Sequence, residues 1–260
     1  MFTIITTRTA GVVLCAAIAA ACGGSSPTSP SNPSTPTPTP TATDVGAALG
    51  ILAAKAIYFG HQSVGFNIMD GVEALTVAAS GSKPRVAQTA APASMEKGVF
   101  AHAGNGSNGD PVGKASAFQT TIRGGVGDKV DIAFFKFCYV DFGGGTNVAA
   151  VFADYQSKMA ALKSAYPGVR FVHFTVPLTT VESSDNAVRE RFSDLVRQAY
   201  AGKEPVFDLA KVESTRPDGS SETVGGVRAL VSAYSSDGGH LNATGAEVVS
   251  KALALYLATL

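Results

Sequence analysis

Residues 130–139 read VDIAFFKFCY and form the most strand-like stretch of the chain. Apart from Asp131 and Lys136, nearly every position in this stretch is apolar. A continuous apolar run of this length is typical of a strand that is buried on both faces of a parallel sheet. The stretch therefore predicts an α/β domain.

Short strand-like runs alternate with helical patterns on both sides of this stretch. The other predicted strands are residues 55–59, 85–89, 98–102, 169–175 and 205–209. Helices are predicted at residues 64–79, 111–122, 147–165, 185–200 and 243–257. This alternation indicates one domain over residues 45–260 with a doubly wound parallel sheet. Ligands of such sheets bind beyond the carboxyl ends of the strands, so functional residues are expected directly after strands.

The first 44 residues differ in composition from the rest of the chain. Arg8 followed by an uncharged apolar stretch predicts a signal peptide over residues 1–21. Small residues before Cys22 resemble a bacterial lipoprotein signal, which would make Cys22 the lipidated first residue and anchor the exported protein to a membrane of the cell envelope. Such signals usually carry Leu where this chain has Ala19, so a secreted, soluble protein is the alternative. Pro, Ser or Thr fill 17 of the 22 positions 23–44, which predicts an extended tether over residues 22–44.

The charge balance argues against a nucleic-acid-binding protein, and the cysteines argue against a domain that is stabilised by disulfides. The chain has 20 Lys or Arg and 20 Asp or Glu residues, and its formal net charge is zero. It lacks the basic surface of a nucleic-acid-binding protein, so we expect no nucleic-acid partner and contact with a membrane only through the lipid anchor. Removal of Cys15 with the signal and lipidation of Cys22 would leave Cys138 alone, so the domain must be stabilised by its core rather than by a disulfide.

A serine follows the first predicted strand and opens a helix. The sequence there is Gly60-His61-Gln62-Ser63-Val64-Gly65. A serine at a helix N-terminus suits acyl transfer, because backbone N–H groups and the helix dipole stabilise the negative charge that develops on the substrate oxygen. The alternative is that Ser63 only caps the helix.

A second group of polar residues precedes the last predicted helix. Asp237-Gly238-Gly239-His240 forms a glycine-rich turn in which the carboxylate can contact one imidazole nitrogen. That contact fixes the tautomer and leaves the other nitrogen free to take a proton from a serine. A neutral imidazole is a suitable general base at physiological pH. The alternative is a structural turn that Asp237 caps.

Together, a serine after the first strand and an Asp-x-x-His turn before the last helix resemble the SGNH/GDSL hydrolase superfamily. The resemblance covers residues 56–257 and implies a three-layer α/β/α sandwich with a mainly parallel, doubly wound, flavodoxin-like sheet. It implies Ser63 as nucleophile, His240 as base and Asp237 as the acid that orients the base. The implied reaction is the hydrolysis of a carboxylic ester, with acetyl or short acyl groups on a glycan or lipid as substrate. We expect no cofactor, no metal and a monomer.

Two blocks depart from the usual pattern of that family. The first block usually reads Gly-Asp-Ser, whereas residues 60–63 read Gly-His-Gln-Ser. The third block usually carries an Asn that donates to the oxyanion, and by strand register Val140 occupies its position. A working enzyme therefore needs another donor, since the loss of one costs about 2.7–4 kcal/mol in the barrier. The candidate oxyanion or substrate residues are Gly106, His61, Gln62, Asn105, Asn108 and Lys136.

Three other interpretations stay open at this point. Residues 61–65 partly match the Gly-x-Ser-x-Gly elbow of α/β-hydrolases, although His61 stands where the first glycine is required. The side chains of His61, His102, Asp237 and His240 are all of types that ligate metals. The loss of the oxyanion Asn is compatible with an inactive, surface-tethered domain that binds a glycan or a protein.

Overall fold

The structure is a computed structural model that describes residues 45–181 and 183–260. The predicted signal peptide, Cys22 and the tether lie outside the described residues. Within these described ranges, no helix is long and apolar enough to cross a membrane.

Strands and helices alternate along the described chain. The strands are β1 (Ala56–His61), β2 (Arg85–Gln88), β3 (Val99–Gly104), β4 (Ile132–Phe135), β5 (Arg170–Phe174), β6 (Val206–Phe207), β7 (Thr223–Val224) and β8 (Val227–Arg228). The helices are α1 (Val45–Leu52), α2 (Val64–Ala78), α3 (Pro111–Thr121), α4 (Val148–Ala165), α5 (Ser183–Tyr200), α6 (Leu209–Glu213) and α7 (Ala243–Leu257).

Six strands form one parallel sheet in the order β2-β3-β1-β4-β5-β6. Strands β7 and β8 form a separate antiparallel pair. Without the edge strand β2, the order of the sheet is that of a flavodoxin-like fold, with the direction of winding reversed at β1. After β1 the chain crosses through α2 to β2 and β3 on one side, and it then returns through α3 to β4 on the other side of β1. The crevice between these two connections lies at the carboxyl end of β1, where Ser63 follows.

Helices cover both faces of the sheet. On one face, Ile57, Phe59 and Phe134 pack against α1, α2, α6 and α7. On the other face, Tyr58 and Phe135 pack against α3, α4 and α5. Since successive strand residues point to opposite faces, a strand covered on both sides is apolar at every position. The predicted three-layer α/β/α class with a doubly wound parallel sheet is confirmed.

The stretch that predicted the fold forms a shorter strand than expected. The strand was expected over residues 130–139, but β4 ends at Phe135, and a turn of 3-10 helix follows at Tyr139–Asp141. The Asp141 carboxylate accepts a hydrogen bond of 2.6 Å from the Cys138 backbone N–H. This bond turns the chain out of the sheet and places residues 138–141 at its carboxyl edge.

Helices α2 and α7 pack closely at Gly71. A Cβ atom at this position would lie 2.6 Å from the backbone oxygen of Ala246 and 2.7 Å from Oγ of Ser250. Only a residue without a side chain permits this approach. Because Ser63 directly precedes α2 and His240 lies just before α7, the helix contact also sets the distance between these two residues.

We expect Gly71→Ala to lower the free energy of unfolding by about 1–3 kcal/mol, because the added methyl group overpacks the helix interface. Urea denaturation would measure this change. Gly46→Ala is the matched control, since Gly46 is exposed on α1 and a Cβ there meets no atom within 4 Å. That control should stabilise the protein by up to about 1 kcal/mol through helix propensity. Equal effects of the two substitutions would contradict the close contact at Gly71.

Candidate active site

The backbone of Ser63 has an unusual conformation. Its φ is 53° and its ψ is −118°, and it is the one non-glycine residue with positive φ in the described part of the chain. Its side chain makes no capping hydrogen bond to α2. Residues held in such strained conformations cluster at active sites, and a sharp strand-to-helix turn presents a serine hydroxyl to substrate. The geometry therefore does not support the interpretation of Ser63 as a simple helix cap.

Gly65 makes this tight turn possible. A Cβ atom at Gly65 would overlap the side chain of His61, which ends β1. The first turn of α2 can therefore pack directly on the end of the strand. In this respect the turn is similar to a nucleophile elbow, although the chain has His61 in place of the first glycine of that motif.

The structure brings Ser63, His240 and Asp237 into one hydrogen-bonded chain. Oγ of Ser63 lies 2.6 Å from Nε2 of His240. Nδ1 of the same imidazole lies 2.7 Å from Oδ2 of Asp237. A carboxylate on Nδ1 favours the tautomer with its proton there, which leaves Nε2 as an acceptor for the serine proton.

The turn at residues 235–240 holds the carboxylate of Asp237 in place. Its Oδ1 accepts hydrogen bonds from the backbone N–H groups of Gly239 (2.9 Å) and His240 (2.8 Å). These backbone bonds are the main reason that the pKa of Asp237 lies well below its usual range, and the hydrogen bond to the His240 ring lowers this pKa further. Asp237 is therefore an anion at every pH at which the imidazole can act as a base.

The side chains of this turn are open to solvent. The exposed fraction of the side chain is 57% for Asp237 and 42% for His240. Burial therefore does not fix the imidazole, and its orientation depends on specific contacts.

The loop that follows β3 lies against the Ser63 turn. Nε2 of Gln62 donates a hydrogen bond of 3.0 Å to the backbone oxygen of Gly106. Gly106 has a φ of 63°, and a Cβ atom there would lie 2.8 Å from Cα of Lys114. Glycine is thus required by both the backbone conformation and the contact with α3.

The other four candidate oxyanion residues have partners of their own. Asn105 is buried and donates to the backbone oxygen of Lys114 at 3.0 Å. Asn108 accepts a hydrogen bond from Nζ of Lys114 at 2.9 Å. Nζ of Lys136 is buried next to the backbone oxygen of Phe137 (3.2 Å) and Sγ of Cys138 (3.5 Å). His61 contacts His102 with 2.8 Å between Nε2 and Nδ1.

Buried ionisable groups lie beneath the site. Burial, with Lys136 and His102 nearby, lowers the pKa of His61 to about 2, so this imidazole is neutral. Burial also lowers the pKa of Lys136. On α6, burial raises the pKa of Glu213 to about 8. These shifts favour the neutral forms of His61 and Glu213 at neutral pH.

Sequence reasoning missed a buried ion pair beside the site. The ammonium of Lys114 lies 2.7 Å from the Asp141 carboxylate, and neither side chain is exposed to solvent. The same carboxylate accepts backbone hydrogen bonds from Cys138 and from Gly109 at 2.8 Å. The pair joins α3 to the turn after β4, and the Gly109 bond joins the loop after β3 to the same turn. No local pattern signals it, because the partners are 27 residues apart and belong to different elements.

Val140 carries no donor at the position expected for the oxyanion Asn. It is 48% exposed in the turn that follows β4. Its neighbour Tyr139, which sequence reasoning also missed, packs its ring edge-on against His240 with 5.7 Å between ring centroids.

In the described residues, no cluster of three or more His, Cys, Asp or Glu side chains could hold a metal ion. Among the candidate metal ligands, His61 pairs with His102, whereas His240 pairs with Asp237. The four candidate ligands therefore form two separate hydrogen-bonded pairs and not one cluster.

No protein-family model and no curated protein matches this sequence. A protein from Streptococcus pneumonia described as a candidate platelet activating factor is 13% identical, with a TM-score of 0.49, and the match covers 81% of this chain and 90% of that one. A candidate acylhydrolase from Bacteroides fragilis is 13% identical, with a TM-score of 0.48 and coverage of 76% and 83%. A mutant acetyl esterase with acetate ion is 16% identical, with a TM-score of 0.45 and coverage of 77% and 94%.

Two of these three neighbours are acylhydrolases or esterases by name. Identities and TM-scores at this level do not establish the activity of this chain or the roles of its residues.

Proposed function

We propose that this protein is an exported serine esterase that removes acetyl or other short acyl groups from a glycan or lipid. The observation that carries the proposal is the continuous hydrogen-bonded chain from Oγ of Ser63 through His240 to Asp237. The strained backbone of Ser63 supports it, because a serine with only a structural role gains nothing from that conformation.

In the proposed reaction, Oγ of Ser63 attacks the carbonyl carbon of the ester while Nε2 of His240 takes the hydroxyl proton. The tetrahedral intermediate then collapses, the bond to the alcohol breaks, and the imidazolium returns the proton to the leaving oxygen. Water attacks the acyl-enzyme by the same route and releases the acid and the free serine. Asp237 stays ionised and stabilises the imidazolium throughout.

Backbone N–H groups are the oxyanion donors in this proposal. Val64 follows the nucleophile at the start of α2, where the positive end of the helix dipole favours an anion. Gly106 supplies the second N–H from the neighbouring loop, which the Gln62 side chain holds against the Ser63 turn. With no side-chain donor at Val140, we expect slower turnover than in an enzyme with three donors, by about 10²–10³-fold.

A fluorophosphonate probe tests the proposal directly, since it labels only an activated serine. The purified domain should be labelled at Ser63, and both Ser63→Ala and His240→Ala should abolish the labelling. Ser116→Ala is the matched control, because Ser116 lies on α3 and its hydroxyl bonds only to the backbone oxygen of Val112. A folded wild-type domain that takes no label would favour the inactive glycan- or protein-binding domain instead.

We further propose that Cys22 carries the lipid that anchors the protein to a bacterial membrane. The support is the residue pattern before Cys22 and the Pro/Ser/Thr-rich tether after it. Cys22→Ser should move the protein from the membrane fraction to the soluble fraction of the producing cell. A wild-type protein that is already soluble would contradict the anchor and leave the secreted alternative.

A further inference from the structure

The ring of Tyr139 packs against the turn that carries the proposed base. A Cβ atom at Gly239 would lie 2.7 Å from Cζ of Tyr139 and 2.8 Å from its hydroxyl oxygen. The same ring meets the imidazole of His240 edge-on. Only glycine at position 239 allows this contact, so the ring forms a platform on which the Asp237–His240 turn rests.

A buried arginine on α5 holds this platform. Arg189 is 2% exposed, and its Nε donates a hydrogen bond of 2.9 Å to the backbone oxygen of Tyr139. Its guanidinium carbon lies 5.6 Å from the centroid of the Tyr139 ring, within the range of a cation–π interaction. The arginine therefore fixes both the backbone and the ring of Tyr139.

The same guanidinium reaches a second segment that contacts the turn. Nη1 of Arg189 donates to Oγ1 of Thr179 at 2.9 Å and to Oδ1 of Asn186 at 2.7 Å. The next residue along the chain, Thr180, donates its backbone N–H to the oxygen of Gly238 at 2.9 Å. The segments that contain Tyr139 and Thr180, which both touch the Asp237–His240 turn, are thus joined at Arg189.

We propose that Arg189 and Tyr139 are positioning residues that hold His240 at hydrogen-bonding distance from Ser63. This inference rests on the proposed serine esterase function. His240 is partly exposed, so burial does not keep its ring in place. A displacement of about 1 Å at a reacting group can cost about 10²-fold in rate. The planar guanidinium suits this task, because its separate N–H groups donate to Tyr139 and to Thr179 at the same time, whereas a lysine offers a single point charge.

Three variants and one control test the inference. Arg189→Lys and Tyr139→Ala should each lower kcat for p-nitrophenyl acetate by about 10–10²-fold, with KM changed less than about threefold. Tyr139→Phe keeps the ring under Gly239 and should lose less activity than Tyr139→Ala. Arg197→Lys is the control on the same helix, since Arg197 forms ion pairs with Asp208 and Asp194. Thermal unfolding of each variant separates loss of fold from loss of positioning.

The inference holds if Arg189→Lys and Arg197→Lys lower the melting temperature alike but only Arg189→Lys lowers kcat and the rate of fluorophosphonate labelling. It is overturned if wild type is labelled and Arg189→Lys and Tyr139→Ala react at the wild-type rate. It is also overturned if Arg197→Lys loses as much activity as Arg189→Lys. A folded wild type that takes no label removes the proposed function and the inference with it.

Discussion

Asp237→Asn is expected to lower kcat for ester hydrolysis by about 10³–10⁴-fold while the domain stays folded. The amide nitrogen of Asn would donate to Nδ1 of His240 and so favour the tautomer with its proton on Nε2. That proton would point at Oγ of Ser63, and the imidazole could no longer accept from it. Steady-state kinetics with p-nitrophenyl acetate measure the loss.

Asp218→Asn is the matched control for this change. Asp218 is also an exposed aspartate whose pKa lies below its usual value, but it bonds to Ser220 in a different turn. It should leave kcat unchanged. An Asp237→Asn enzyme with more than about a tenth of the wild-type kcat would contradict the assigned role, since the tautomer argument requires a far larger loss.

Asp141→Asn is expected to lower the free energy of unfolding by about 3–5 kcal/mol. The substitution keeps the shape of the side chain but removes the charge that compensates the buried ammonium of Lys114. A buried charge without a partner costs far more than an exposed one, because no water replaces the lost interaction. Urea denaturation followed by circular dichroism measures the change.

Glu247→Gln makes the same chemical change in an exposed pair. Glu247 and Lys251 face solvent on α7, with side chains 59% and 37% exposed. The expected change in unfolding free energy is below about 0.5 kcal/mol.

The double variant Lys114→Met/Asp141→Leu should lower the free energy of unfolding by less than the sum of its single variants, because it removes both charges together. A loss of less than about 1 kcal/mol for Asp141→Asn alone would show that other groups compensate the charge of Lys114.

Elements with strong local signals could be predicted from the sequence. Helix α7 occupies residues 243–257 as expected, because Asn242 caps it and apolar residues recur at helical spacing. Helix α1 was missed, since its eight mostly apolar residues lack a polar face and become helical against α7. The carboxyl end of β4 was placed too late, because its apolar residues continue beyond Phe135 while the Asp141 contact turns the chain away.

The residues of the candidate site divide in the same way into those that local sequence identifies and those that only tertiary contacts identify. Ser63, Asp237 and His240 could be singled out by residue type and by position next to a strand or a helix. The sequence could not identify Tyr139, Arg189, Lys114 or Asp141, because their importance comes from contacts between residues distant along the chain. A buried arginine on a helix looks like any solvent-facing charge until the packing is known.

Hydrophobic periodicity and residue type are local properties of the chain, and they were sufficient to predict the layer architecture and to single out Ser63, Asp237 and His240. The contact between Ser63 and His240, which are 177 residues apart and lie 2.6 Å from each other, arises only from the packing of the folded domain. That distance depends on the close approach of α2 and α7 at Gly71 and on the strained backbone of Ser63. Both depend on packing of the whole domain, because such strain persists only where the surrounding structure enforces it.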